Sequence, residues 1–78
     1  MLPNLSVMPA VKGEEIRERR QRLGLKLGEF ADAARIKYKT AANIESKSSQ
    51  LVSIEVVHRF AKILGTEAEN LLRKDAAA

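Results

Sequence analysis

The chain has 78 residues, 45% hydrophobic but only 4% aromatic, so it makes one small domain with a core of Leu, Ile, Val and Ala. It has no cysteine, which excludes disulfide staples, cysteine–zinc sites and thiol chemistry and fits a reducing cytoplasm. Net charge is +4, and nine of the fourteen Lys/Arg lie between Arg17 and Lys47 against four acids, an asymmetry that points to a polyanionic partner or to a plain solvated face.

The N-terminal "MLPNLSVMPAVK" lacks the basic start and long apolar segment of a signal peptide, and Pro3 and Pro9 oppose a helix there. Nowhere does an apolar run reach the length needed to cross a bilayer. Residues 1–11 are read as a flexible arm, 12–73 as the domain and 74–78 as a short tail.

Helical spacing then runs almost to the end. Val11, Ile16, Arg19, Arg20 and Leu23 fit a first helix that Gly24 stops. "KLGEFADAA" places Leu27, Phe30, Ala31 and Ala34 on one stripe, and "KYKTAANIES" turns Ala41 and Ile44 inward. Ser53 caps a fourth helix with Ile54, Val57, Ala61 and Leu64 on one face and Phe60 beside them, and Gly65 stops it. Thr66 and Glu69 form the pattern of a capping box for a fifth short helix carrying Leu71 and Leu72. Segments this short are unstable alone, so they must share one core. The expected core is Ile16, Leu23, Leu25, Phe30, Ala31, Ile36, Ile44, Ile54, Val57, Phe60, Ala61, Leu64 and Leu71.

Nothing in this pattern suits catalysis, and no cofactor or metal is implied. His58 is the one histidine and lies mid-helix beside Arg59, as a surface residue. Glu14, Glu15 and Glu18 lie on the first helix among arginines, the arrangement of surface ion pairs and not of acid–base work. The four glycines are scattered and build no phosphate loop.

The informative stretch is "LGEFADAARIKYKTAANIE": a helix, a tight connection at Arg35-Ile36, and a second helix. Such a unit presents the start of its second helix to the DNA major groove. There Tyr38, Lys39, Thr40 and Asn43 project away from Ala41 and Ile44 and are the right types for base edges. Lys26, Lys37, Lys47 and Arg35 suit phosphates, which fix orientation without reading sequence. Both helix starts carry lysine where a capping Ser or Thr is expected. A missing cap costs about 0.5–2 kcal/mol, and the cation facing the helix terminus adds a few tenths. A docked phosphate offsets both, because it accepts the unpaired N–H donors and meets the lysine charge.

In order and spacing, the phrases "GEEIRERRQRLGLK", "EFADAARI", "TAANIES", "SIEVVHRFAKILG" and "LL" resemble the Cro/CI-type helix-turn-helix domain of phage repressors and the xenobiotic-response-element (XRE) regulators. The resemblance covers residues 13–72. It implies an all-α, five-helix, lambda-repressor-like domain that binds double-stranded operator DNA, usually as a homodimer on an inverted repeat. Residues 37–46 become the reading helix, and Arg20 and Glu45 match an arginine–glutamate pair that orients it. Three positions depart from the family pattern: Leu27 stands for a phosphate-binding Gln, leaving that role to Lys26, while Arg35 and Lys47 stand for glycines. The leading expectation is a cytoplasmic transcriptional regulator, such as a phage-type repressor. The alternatives are an antitoxin, or a protein-docking module making contact through Leu27 and Tyr38.

Overall fold

The computed structural model describes residues 8–47 and 50–73. They hold four α-helices, α1 (Gly13–Arg22), α2 (Leu27–Ala34), α3 (Tyr38–Ser46) and α4 (Ile54–Leu64), followed by a 3-10 turn, Ala68–Leu71. No helix among the described residues is long and apolar enough to cross a membrane.

The helix boundaries have local causes. Gly24 and Gly65 take left-handed conformations, with φ of 75° and 68°, and close α1 and α4. The Ser53 hydroxyl accepts the Val56 amide at 3.3 Å and starts α4. The expected fifth α-helix is instead the single 3-10 turn, and the Thr66–Glu69 capping box does not form. Glu67 precedes the turn without a side-chain cap, and Thr66 Oγ1 accepts from Asn70 Nδ2 at 3.0 Å. The competing interaction lies just beyond: the Leu71 carbonyl and the Arg73 amide bond Lys12 and Ala10, which draws the chain into an extended path before a second turn can close.

That pairing also changes the reading of the N-terminal stretch. Val11 is not part of α1. Ala10 and Val11 run extended between the 50–52 link and the chain end, bridging antiparallel to Leu51 and Leu72. The Val11 amide donates to the Gln50 carbonyl and the Val52 amide to the Pro9 carbonyl, both at 3.0 Å. Val11 is fully buried and Ala10 nearly so, so both belong to the packed domain and not to a loose arm. The rest of that arm (residues 1–7), the tail (74–78) and Ser48 and Ser49 of the link lie outside the described residues.

The core centres on Phe30 of α2 stacked on Phe60 of α4, ring centroids 4.8 Å apart, with Val11, Ile16, Val57 and Leu71 fully buried around them. Two expected core residues are outside it. Leu23 is 55% exposed because it is the C-cap of α1, already turning away. Ile54 is 36% exposed at the first position of α4. Ala34, Ala41 and Val52 are buried with the core in addition to those expected. α3 lies between α1 and α2, which hold its inner side and leave the other open.

Candidate nucleic-acid interface

α2 begins after Lys26, whose backbone is extended and whose side chain caps nothing, since an ammonium cannot accept a hydrogen bond. The start is not wholly bare, contrary to what the residue types suggest. The Glu29 carboxylate reaches back and accepts the Lys26 amide at 2.8 Å, which is one half of a capping box. The missing half leaves the first amides of α2 without a side-chain acceptor. α3 likewise follows an extended Lys37 with no side-chain cap.

The two starts adjoin. A Cβ built on Gly28, second residue of α2, would lie 3.9 Å from Cδ1 of Tyr38, first residue of α3. Lys26 and Lys37 therefore flank one small region of surface, and both are exposed.

Between them, α2 ends in a Schellman arrangement. The Ile36 amide donates to the Ala31 carbonyl at 3.0 Å and the Arg35 amide to the Asp32 carbonyl at 3.1 Å. This places Arg35 at φ 62°, ψ 42°, in the left-handed region where a glycine is favoured. Such a backbone costs a side-chain-bearing residue about 1–2 kcal/mol. Glycine removes that cost but loses about 0.5–1 kcal/mol more chain entropy on folding, which leaves Arg35→Gly an expected net gain of about 0.5–1 kcal/mol in urea unfolding. A variant that is no more stable would show that the turn is relaxed as it stands.

On α3, Ala41, Ile44 and Glu45 are buried, while Tyr38 (62% exposed), Lys39, Thr40 and Asn43 are exposed; Lys39 and Asn43 share the outermost side, Tyr38 stands beside Gly28 of α2, and Thr40 lines a groove with Ile44 and Val52 on the other flank. Lys47 follows in extended conformation at φ −114°, so the chain leaves α3 without the left-handed residue a glycine would supply.

Behind α3, Arg20 of α1 holds Glu45 by two parallel bonds: Nε to Oε2 at 2.7 Å and Nη2 to Oε1 at 2.9 Å. Its Nη1 donates to the Leu25 carbonyl at 2.8 Å, tying in the α1–α2 connection. Both side chains are largely buried, 11% and 6% exposed. Hydrogen bonding to Glu45 holds the guanidinium above its ordinary pKa, against the opposing effect of burial.

Two contributors carried no recognised sequence signal. Arg59 of α4 donates from Nη1 to the Ala34 carbonyl at 3.1 Å, which braces the turn beside Arg35. A basic residue on the half-buried flank of an amphipathic helix was the available hint. Gly13 brings the start of α1 against the end of α3, a contact that no local pattern encodes. Leu27 is half-buried and packed against the core, so only part of its side chain is open to a partner. His58 is exposed.

A family model described as a helix-turn-helix domain matches residues 13–73. No curated protein sequence matches the chain. Among solved structures, the chain is similar to SinR, the master biofilm regulator of Bacillus subtilis. In the complex of SinR with SinI the TM-score is 0.74 at 23% identity, covering 85% of this chain and 64% of that one. This chain thus spans under two thirds of that SinR chain. SinR in complex with DNA gives a TM-score of 0.68 at 23% identity, over 73% of this chain and 90% of that one. The restriction-modification controller protein C.AhdI of Aeromonas hydrophila gives 0.68 at 23% identity, over 77% and 89%. At such identities the likeness establishes the lambda-repressor-like fold.

Proposed function

This chain belongs to the helix-turn-helix domain family, and from that premise we propose that it is a sequence-specific DNA-binding transcriptional regulator. α3 enters the major groove. Tyr38, Lys39, Thr40 and Asn43 meet base edges, while Lys26, Lys37, Lys47 and Arg35 meet phosphates. The observation that carries this reading is the pair of adjoining helix starts, each led by an exposed lysine and each lacking a side-chain acceptor on its first amides. A backbone phosphate supplies the missing acceptor and the missing negative charge at once.

The domain binds as a homodimer on an inverted repeat, with reading helices about 34 Å apart, one turn of duplex. The DNA-bound SinR supports the general mode. The SinI-bound SinR keeps a protein partner as the second reading. For this chain that reading is the weaker one, since Leu27 is half-buried against the core and of the two docking residues only Tyr38 is largely exposed.

Selection of bound duplexes from a random pool is expected to enrich an inverted repeat. On that site, two subunits neutralising about six to eight phosphates give a slope of log affinity against log salt near −5 to −7. Asn43→Ala is expected to cost about 1–3 kcal/mol of binding and to relax preference at one base pair per half-site, leaving the salt slope unchanged. A pool that returns no enriched sequence, or a flat salt response, overturns the proposal in favour of a protein partner.

A further inference from the structure

Helix α1 carries four arginines, and their pairing is uneven. Arg19 bonds Glu15 at 2.7 Å, Arg20 bonds Glu45, and Arg22 lies 3.7 Å from Glu18. Arg17 has no carboxylate within ion-pair distance among the described residues. Its helical neighbours explain this. Gly13 and Gln21, four residues either side, carry no charge, and Glu14 is bonded to Arg73 instead.

This unneutralised cation lines an open cavity of about 250 Å³ together with Arg20, Gln21, Leu27, Glu45 and the outer flank of α3 at Ala42 and Ser46. Inside it the charges of Arg20 and Glu45 cancel, so Arg17 leaves the cavity at net +1. Gln21 adds a neutral amide donor. The cavity also sits where the reading surface continues. Leu27 is the first residue of α2, and Ala42 and Ser46 lie beside Asn43 on α3. Ala42 and Ser46 are short, so they leave the cavity open along this flank of α3.

We propose that Arg17, assisted by Gln21, binds a phosphodiester of the DNA backbone in this cavity, as a contact additional to those of the helix starts. The inference rests on the DNA-binding reading above. It assigns to α1 a direct role in orienting the duplex across the Ala42–Ser46 flank of the reading helix.

Arg17→Gln and Arg22→Gln form the test. Each removes one positive charge from the exposed side of the same helix, but Arg22 is already paired and does not line the cavity. Affinity for the selected duplex and for an unrelated duplex is measured over a salt series, with melting points to establish that both variants fold. Arg17→Gln is expected to weaken binding about ten-fold on both duplexes. It should also reduce the magnitude of the salt slope by about 0.9 for each phosphate that position 17 no longer neutralises, while Arg22→Gln keeps the wild-type slope. Equal slopes for the two variants overturn the proposed phosphate site while leaving the DNA-binding reading intact. Weakening confined to the selected duplex makes Arg17 a base reader and also overturns it. Failure of the unmodified protein to bind any duplex overturns both readings.

Discussion

Arg20→Ala is expected to destabilise the domain by about 3–5 kcal/mol, because it strands the Glu45 carboxylate at a site where its side chain is only 6% exposed. A small domain has a total stability of about 5–15 kcal/mol, and each kcal/mol moves its melting point by about 4–8 °C. The variant's melting point should therefore fall by about 12–40 °C. The effect is one of an abandoned charge and not of the pair's net worth. The double variant Arg20→Met with Glu45→Leu should accordingly recover most of the stability, since an apolar replacement needs no partner. Thermal unfolding of the single and double variants by circular dichroism reads both outcomes. The double variant is nevertheless expected to bind DNA less well than wild type. Two parallel hydrogen bonds fix the azimuth of α3 against α1 in a way that interchangeable apolar contacts do not. A melting point unchanged in Arg20→Ala would show that Glu45 is solvated and that α3 is oriented by packing alone.

Gly13→Ala is expected to be comparably severe, at about 3 kcal/mol, the upper end of ordinary over-packing. A Cβ at Gly13 would clash with the carbonyl oxygens of Ile44 and Lys47 and lie 3.1 Å from that of Glu45. All three are backbone atoms at the end of α3, so no side chain can swing aside to make room. The start of α1 must instead separate from the end of α3, which also weakens the favourable meeting of a positive helix end with a negative one. Gly28→Ala is the matching control. Its Cβ would meet only the Tyr38 ring, at 3.9 Å, an ordinary contact, and the change should be close to neutral. Urea denaturation of the two variants is expected to separate them widely. Equal stability would mean that the α1–α3 junction yields easily and does not set the position of α3.

The helices were legible in the sequence because each has a local cause. The apolar stripe of α2, the Ser53 cap and the stops at Gly24 and Gly65 act within a few residues of themselves. The outermost pair on α3 was legible for the same reason: helical periodicity turns Lys39 and Asn43 away from whatever buries Ala41 and Ile44, whereas Tyr38 and Thr40 lie on the flanks. Periodicity was a poorer guide at the ends of elements. It assigned Val11 to α1 and placed Leu23 and Ile54 in the core. It gave a fifth α-helix where backbone pairing with residues 10–12 leaves room for only one turn.

From sequence alone came the all-helical composition, the concentration of positive charge between Arg17 and Lys47, and the lysines leading α2 and α3, since these depend on residue identity and near neighbours. The tertiary structure decided which charges stay free. Arg20 is held by a glutamate 25 residues away and Arg59 by a carbonyl 25 residues away, whereas Arg17 has no carboxylate partner among the described residues and lies beside α3. It also decided that Gly13 must lack a side chain and that Val11 must be buried. Those constraints arise where segments distant in the chain come within a few ångströms of each other, and no local pattern carries that distance.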